Sequence, residues 1–462
     1  MKKKTILVSA LSLFMMVGFV SCGDDNEVIP NPNPGTETNY VKGTDTDGKT
    51  TYNKLLFDEN GNPDEKGIVI GNGEKEMVFK GKETLAKGTY LLKGWIYVAD
   101  GSELTIEAGT IIKGDKETQA CLIVEPGGKL IAKGTKEAPI VFTSEQPKGQ
   151  RKPGDWGGLI LCGNAKNNQG VQQIEGGPRT KHGGDNDADN SGILSYVRVE
   201  FAGYPFQKDK EINGITFGSV GNGTQVDHLQ VSFSNDDSYE WFGGCVNAKY
   251  LVAYSGWDDD FDTDNGFSGN VQYGLVVRYP RLADTSQSNG FESDNCADGA
   301  EVSPFTTATF SNITFIGPKA YDGFLNTNDY INGGEYYPNN GSSLGKFQAA
   351  MQIRRSSHLA CFNSIAVGYP IGLIVDGEKG NTVQFAKDGN LKLQNIIFAG
   401  MDAVGTDKNK QYEDLPYEDG KEYSFSHEYF INQPGNLVFD NCSDLLLKDA
   451  RNVGAGYLPQ SG

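Results

Sequence analysis

The chain has 462 residues, with 41 lysines and arginines against 60 aspartates and glutamates, and a formal net charge of −19. This acidic balance argues against a nucleic-acid-binding protein, because contacts with phosphates need a basic surface. The 4 histidines, without a His-Glu-x-x-His pattern, argue against a catalytic zinc site. The 60 glycines, without a collagen-like period, indicate many tight turns and therefore predict an all-β chain.

The N-terminus has the pattern of an export signal. Three lysines follow the first methionine, and residues 5–20 form an apolar run that is too short to span a bilayer. Residues 19–22 resemble the lipobox of bacterial lipoproteins, and residues 23–27 resemble the acidic tag of Bacteroidota lipoproteins that are exported to the cell surface. The resemblance implies a signal peptide over residues 1–21, lipidation of Cys22 and a surface-exposed outer-membrane location. A secreted protein with an incidental cysteine is the alternative.

Two further segments precede the main body of the chain. Residues 22–50 are rich in proline, asparagine and aspartate without apolar periodicity, which predicts a flexible tether attached to the membrane through the lipid anchor only. Residues 51–100 are predicted to form an N-terminal cap with the first strands. The cysteines after Cys22 form no Cys-x-x-Cys pair and lie in or beside apolar stretches, so we predict buried free thiols, with disulfides as the alternative. These cysteines are Cys121, Cys162, Cys245, Cys296, Cys361 and Cys442.

From about residue 90 onward, short β-like runs alternate with glycine, asparagine and aspartate. One type of strand recurs in segments that begin at Ser238, Asp260, Gly290 and Gly323, at spacings of 22, 30 and 33 residues. A period of this size is typical of stacked supersecondary units. Propeller blades, leucine-rich repeats and hexapeptide helices need a rhythm that this chain lacks. Turns of variable length favour a right-handed parallel β-helix.

A family resemblance supports this interpretation of the repeats. Residues 101–144, together with the patterns at 156–161, 240–244 and 258–266, resemble uncharacterised Bacteroidota surface lipoproteins of the pectate-lyase-like type. The resemblance implies an all-β, right-handed, single-stranded parallel β-helix over residues 101–462. It also implies a setting of glycan or nutrient uptake at the outer membrane, beside a transporter partner. Two long insertions interrupt the predicted helix, and they span residues 326–345 and 407–435.

The recurring strands place aromatic and acidic residues on opposite faces, because strand side chains alternate in direction. One aligned position is aromatic and is predicted to form an inward-facing ladder of Tyr239, Phe261, Phe291 and Phe324. The neighbouring positions then point outward in an acidic column, which consists of Glu240, Asp262, Asp264, Glu292 and Asp294. Successive coils lie about 4.8 Å apart, so the column concentrates like charges on one small area.

Three interpretations of this acidic column stay open. Clustered carboxylates suit Ca²⁺, which takes six to eight oxygen ligands, and the predicted ligands are Asp258, Asp260, Asp262, Asp264 and Asp294. A polysaccharide lyase or glycoside hydrolase would instead use Asp262, Glu292 and Glu240 as acid, base or nucleophile. The sequence blocks typical of polygalacturonases and pectate lyases are absent. The third interpretation is structural, with Asp and Asn side chains capping tight turns.

A second acidic loop carries Asp185, Asp187 and Asp189 at the spacing of an EF-hand. It lacks the glycine and the terminal glutamate of that motif, so a calcium-stabilised loop and a plain solvated loop are both open.

Aromatic residues provide the candidate ligand contacts. Trp257 follows the predicted strand just before the acidic run, and Tyr330, Tyr336 and Tyr337 lie among asparagine and glycine in the first insertion. Such side chains suit a sugar or a protein partner, and the alternative is that the insertions only cover the flank of the helix. The sequence as a whole predicts a surface lipoprotein that captures a glycan or another small ligand, or docks a partner. The competing hypothesis is an enzyme that uses the acidic column.

Overall fold

A computed structural model describes residues 40–44, 50–54, 68–74, 76–206 and 211–445. The predicted signal peptide and Cys22 lie outside the described residues. The predicted tether ends earlier than expected, because residues 40–44 pair antiparallel with residues 50–54, and the second of these strands joins the main sheet beside residues 83–85. No helix in the described part of the chain is both long and apolar enough to cross a bilayer.

Short strands connected by turns make up most of the described chain. The first fifteen strands are β1 (Tyr40–Thr44), β2 (Thr50–Lys54), β3 (Ile68–Ile70), β4 (Met77–Phe79), β5 (Lys82–Leu85), β6 (Thr89–Leu92), β7 (Trp95–Val98), β8 (Glu103–Ile106), β9 (Ile111–Gly114), β10 (Cys121–Val124), β11 (Lys129–Lys133), β12 (Ile140–Ser144), β13 (Gly158–Cys162), β14 (Gln172–Gln173) and β15 (Lys181–His182). They are rich in valine, isoleucine, leucine and aromatic residues, which favour the extended backbone.

The second half of the chain has longer strands and two short helices. The strands are β16 (Gly192–Glu200), β17 (Ile215–Gly218), β18 (Gln225–Ser232), β19 (Tyr239–Phe242), β20 (Ala248–Tyr254), β21 (Phe261–Asp264), β22 (Asn270–Val277), β23 (Phe291–Ser293), β24 (Thr309–Ile316), β25 (Ala349–Ile353), β26 (Ala360–Val367), β27 (Ile371–Val375), β28 (Lys392–Ala399), β29 (Ala403–Thr406) and β30 (Leu437–Phe439). The helices are α1 (Thr382–Lys387) and α2 (Phe425–Asn432).

All of these strands except β14 and β15, which form a two-stranded antiparallel sheet, stack into two long sheets that wind around one core. The first sheet has 11 strands in the order β4, β7, β10, β13, β17, β19, β21, β23, β25, β27 and β29. The second sheet has 17 strands, and its C-terminal part runs β16, β18, β20, β22, β24, β26, β28 and β30. Apart from the β1–β2 hairpin, neighbouring strands in both sheets are parallel. This arrangement is a right-handed parallel β-helix, so the predicted all-β fold is confirmed.

The second sheet bends at one position of every coil. β11 and β12 are separate strands, and β16 pairs with both of them on either side of Tyr196. The equivalent residue of each later coil has the left-handed backbone, with φ between 50° and 61°. These corner residues are Tyr196, His228, Tyr250, Tyr273, Asn312, Asn363 and Asn395. Asparagine tolerates this conformation well. The side-chain rings of the four aromatic corner residues stack in the order Tyr196, His228, Tyr250 and Tyr273, at centroid distances of 4.2, 4.5 and 5.1 Å.

The predicted inward ladder is confirmed for three coils and wrong for the fourth. Tyr239, Phe261 and Phe291 share one register position and are fully buried. The next rung is Met351 in β25, not Phe324. Phe324 lies in the connection that precedes β25 and packs against Phe347 at 5.7 Å. Because the insertion lies between β24 and β25, the segment that begins at Gly323 is not a strand of this sheet, although its sequence resembles the earlier repeats.

The second insertion packs against the C-terminal end of the coil through helix α2. Helix α2 begins at Ser424, whose hydroxyl accepts a hydrogen bond from the backbone N–H of His427. Phe430 in this helix is buried and stacks on Phe398 of β28 at 3.9 Å. The helix therefore covers apolar side chains at the C-terminal end of the described coil.

The six cysteines of the described chain are free thiols. Cys121, Cys162, Cys296 and Cys361 are buried, whereas Cys245 and Cys442 are half-buried. The structure therefore agrees with free thiols at all six positions, and with buried ones at four of them.

Replacing Phe291 with alanine removes a ring that stacks on Phe310 at 5.3 Å. We expect Phe291→Ala to lower the free energy of unfolding by about 3–5 kcal/mol, measured by urea denaturation, because a cavity is left in the core. Phe291→Leu, which keeps most of the volume, is the matched control and should cost less than half as much. Equal losses for both variants would contradict the importance of this stack.

Candidate functional site

The acidic column forms at the predicted register on the first sheet. Glu240 of β19 lies beside Asp262 of β21, and Asp262 lies beside Glu292 of β23. The next position in the same column is Gln352 of β25, and the preceding one is Thr216 of β17. Parallel pairing without a register shift therefore brings three carboxylates from three coils together.

This column is largely shielded from solvent and is not an open surface, and we refer to it as the floor of the site. Glu240 is only 7 % exposed, and Asp262 and Glu292 are half-buried. Acidic turns border the floor where the strands begin, with Asp236 and Asp237 before β19 and Asp258 and Asp259 before β21. We call the floor and these turns the acidic cleft. It consists of Asp236, Asp237, Glu240, Asp258, Asp259, Asp262, Asp264, Glu292 and Asp294.

Three sets of carboxylates in the cleft come close enough to share a cation. In each set, one oxygen from every residue lies within 4.8 Å of the others. The sets are Asp236 with Asp237 and Asp258, Asp237 with Glu240 and Asp262, and Asp259 with Asp262 and Glu292. Asp237 and Asp262 each belong to two sets, so the three sets form one continuous group. Oxygen-only ligands of this kind are those that Ca²⁺ prefers.

Two arginines supply the positive charge at one end of the cleft. Arg354 contacts the carboxylates of both Glu292 and Asp294, with a Nε–Oδ1 distance of 2.8 Å to Asp294. Arg355 contacts the other oxygen of Asp294 at 2.6 Å. Both arginines directly follow β25, the strand that stacks on β23. Nothing in the spacing of these arginines along the sequence indicates this position.

Burial and mutual repulsion raise the pKa of several carboxyl groups in the cleft. For Asp237, Glu240 and Asp262, burial raises the pKa well above its usual range, and neighbouring carboxylates add to the effect. Burial raises the pKa of Asp259 to about 6, although the charge of Arg278 opposes it. Burial, followed by the charge of Asp294, raises the pKa of Asp264 to about 7. Without a cation, the cleft therefore retains protons near neutral pH.

One buried amide in the column has no internal hydrogen-bond partner. Gln352 is 0 % exposed, and neither its amide nitrogen nor its amide oxygen is hydrogen-bonded. The Oδ1 atoms of Asp258 and Asp262 are also buried without a partner. A buried polar group left unsatisfied costs about 1–3 kcal/mol. These atoms are therefore available to a water molecule, a ligand or a cation.

Asp260 and Trp257, two predicted site residues next to the acidic turns, face the core and not the cleft. Asp260 faces the core, where its carboxylate lies 2.8 Å from the Nε atom of Arg278 and both side chains are fully buried. It is therefore unsuited to the predicted role of calcium ligand. Trp257 is 0 % exposed, which corrects its prediction as a sugar platform. Both residues belong to a turn that folds inward, because Ser288 and Arg278 bind its backbone carbonyls.

The three predicted tyrosines do not converge on one ligand. Tyr330 packs against Phe324 at 5.5 Å and lies under the guanidinium of Arg281. Tyr336 stacks on Phe233 at 4.2 Å. Tyr337 is 40 % exposed and lies near Trp257. The first insertion therefore folds against the flank of the coil, as the alternative interpretation expected.

The second acidic loop does not gather its three aspartates. Asp187 forms an ion pair with Lys166 at 2.7 Å, and Asp185 is exposed. Asp189 is buried and accepts a hydrogen bond from Ser191. Within the described residues, no three potential metal ligands come together in this loop. Its geometry agrees with the solvated-loop alternative.

Comparison with known proteins places the fold but not the activity. The sequence profile of the family described as pectate-lyase-like β-helix domain matches residues 77–429. No curated protein matches the chain. The crystal structure of the Agl-KA catalytic domain is similar over 77 % of this chain, at 10 % sequence identity and a TM-score of 0.26. The match spans 62 % of that structure's length, and likeness at this level carries no functional argument.

The raised pKa values determine how stability depends on pH in the absence of divalent cations. A carboxyl whose pKa is higher in the folded state binds more protons there than in the unfolded chain. Such a carboxyl stabilises the folded state at low pH. This stabilisation is lost as the pH rises through the pKa of the folded state, which is about 6 for Asp259 and about 7 for Asp264. We therefore expect the melting temperature in EDTA to fall between pH 5 and pH 8.

Asp264→Asn should make this fall shallower, because the amide cannot titrate. Asp402→Asn is the control, since its side chain is 66 % exposed and lies outside the cleft. A melting temperature in EDTA that rises over the same pH range would contradict the assignment.

Proposed function

Because the chain belongs to the family of pectate-lyase-like β-helix domains, we propose that it binds a glycan in the acidic cleft through a divalent cation. The observation that carries the proposal is the stacked column of Glu240, Asp262 and Glu292, which is flanked by acidic turns and followed by the unpartnered amide of Gln352. The cation we propose is Ca²⁺. Its six to eight oxygen ligands exceed what any one set of three carboxylates supplies.

The unfilled coordination positions explain why a sugar is the proposed ligand. A Ca²⁺ ion held by one set of carboxylates keeps several positions open for oxygen ligands from outside the protein. Neighbouring hydroxyls of a sugar ring are oxygen donors at a suitable separation. The guanidinium groups of Arg354 and Arg355, which already hold Asp294, add hydrogen-bond donors at the end of the same cleft.

The proposed cellular setting rests on the N-terminal sequence. A lipoprotein with Cys22 as its anchor would present the β-helix at the outer surface of the cell, on the tether that precedes residue 40. A rigid coil on a tether suits the capture of a glycan for a neighbouring outer-membrane transporter. The acidic surface of the chain does not attract anionic lipids, so attachment would come from the acyl chains.

Calorimetric titration with CaCl₂ tests the cation-binding step. We expect saturable binding by the purified protein, and at least about tenfold weaker binding by Asp262→Asn, because this carboxylate belongs to two of the three sets. Asp402→Asn should bind Ca²⁺ like the parent protein. Glycan binding, measured on an array with and without EDTA, should require the cation. Unchanged Ca²⁺ affinity in Asp262→Asn, or glycan binding that is insensitive to EDTA, would contradict the proposal.

A second candidate function is a polysaccharide lyase or glycoside hydrolase. The observation in its favour is that Asp262 and Glu292 lie on adjacent coils, with a raised pKa at both groups and Arg354 in contact with Glu292. General acid–base catalysis requires a protonated carboxyl group next to an ionised one. Glu240 would then position or assist Asp262.

Turnover assays separate the two candidates. If the protein is an enzyme, release of reducing ends or of unsaturated products from a panel of acidic and neutral polysaccharides should fall by at least about a hundredfold in Glu292→Gln. Glycan affinity should change much less in that variant. Binding without turnover on every polysaccharide that the protein binds would exclude the enzymatic candidate.

A further inference from the structure

A pocket of about 340 Å³ lies outside the acidic cleft, beside the corner that follows β16. Its lining residues are Lys148, Gly149, Arg151, Lys152, Phe201, Glu335 and Tyr336. The first insertion connects the two places, since Tyr336 lines the pocket and Asn340 donates a hydrogen bond to Asn235 at the edge of the cleft. No residue of the acidic cleft contributes to the pocket lining.

The pocket is positively charged although the whole chain is acidic. Three cationic side chains line it against the single carboxylate of Glu335. Among the described residues, no carboxylate forms an ion pair with Lys148 or Lys152. Three cations against one carboxylate give the pocket a local positive charge in a chain whose net charge is −19, and this local charge favours an anion.

Arg151 is held in place for such a contact. Its Nε atom donates to the backbone carbonyl of Gln146 at 3.0 Å, and its Nη1 atom donates to the hydroxyl of Thr143 at 3.1 Å. These two bonds fix the guanidinium plane and leave Nη2 for a ligand. A fixed guanidinium loses little side-chain entropy when it binds an anion.

An aromatic ring completes the pocket. Phe201 follows β16 with a left-handed φ of 60°, and one side of its ring is stacked on Phe233 at 5.2 Å and an interplanar angle of 5°. Phe201 is half-buried and also lines the pocket, so a part of the residue that Phe233 does not cover borders the cavity. An aromatic surface of this kind packs well against the C–H face of a sugar ring.

We propose that this pocket is a second glycan-binding site, which accepts a sugar residue that carries an anionic substituent, a carboxylate or a sulfate ester. Phe201 packs against the apolar face of the ring, and Lys148, Arg151 and Lys152 hold the substituent. The site needs neither the cation nor the carboxylates of the acidic cleft. A glycan long enough to reach both the acidic cleft and this pocket would bind the protein on either side of the first insertion.

Binding of three short oligosaccharides to the purified protein in EDTA tests this proposal. The probes are unsulfated chondroitin tetrasaccharide, its sulfated form, and neutral chitotetraose. We expect both anionic probes to bind and the neutral probe to bind at least about tenfold more weakly, with affinity that falls as salt is added. Equal affinity for the two chondroitins would assign the carboxylate as the recognised group, and tighter binding of the sulfated form would assign the sulfate.

Matched variants connect the binding to this pocket. Lys148→Gln combined with Lys152→Gln should weaken both anionic probes by about tenfold. The control, Lys133→Gln combined with Lys392→Gln, removes the same charge from exposed positions outside the pocket and should bind like the parent. Asp262→Asn should also leave this binding unchanged, which separates the pocket from the acidic cleft. Equal affinity for chitotetraose, no binding of either chondroitin at millimolar concentration, or equal weakening in the control would overturn the proposal.

Discussion

In-register stacking of parallel strands is the constraint on which the rest of this structure depends. Backbone hydrogen bonds hold successive coils about 4.8 Å apart, so each position of a strand lies beside the same position of the next coil. Inside the coil, this rule stacks Tyr239, Phe261 and Phe291 into a buried column of rings. Outside the coil, the same rule forces Glu240, Asp262 and Glu292 together. The core and the acidic cleft are therefore two faces of one set of strands.

Carboxylates at this spacing repel one another, and the molecule compensates for the repulsion in two ways. At one end of the cleft, Arg354 and Arg355 neutralise Asp294 and Glu292 directly. Along the floor, burial keeps the pKa of Glu240 and Asp262 high, which leaves a proton where no cation is present. A divalent cation would replace those protons and satisfy oxygens that have no internal partner. Relief of this repulsion by a cation is the physical basis of the proposed ligand binding.

Sequence patterns predicted the acidic column, but they did not predict how far it is buried or which residues pack around it. The alternation of aromatic and acidic positions was sufficient to place Glu240, Asp262 and Glu292 in register, because strand periodicity is local. The same reasoning failed for Phe324 and Trp257. Phe324 belongs to a motif that resembles the repeat, but an insertion displaces the next strand to Met351. Trp257 turns inward because Ser288 and Arg278, both distant in sequence, bind the backbone of its turn.

The sequence by itself determined the all-β coil, the free thiols and the acidic column, since each follows from local periodicity and composition. Only the tertiary structure decided that the column is largely buried, that Arg354 and Arg355 pair with Asp294, and that Asp260 pairs with Arg278 in the core. It also decided that Lys148, Arg151 and Lys152 surround an aromatic ring from a different coil. The reason is that turns and insertions of unequal length set which residues meet between coils, and their conformations depend on contacts that no short stretch of sequence contains.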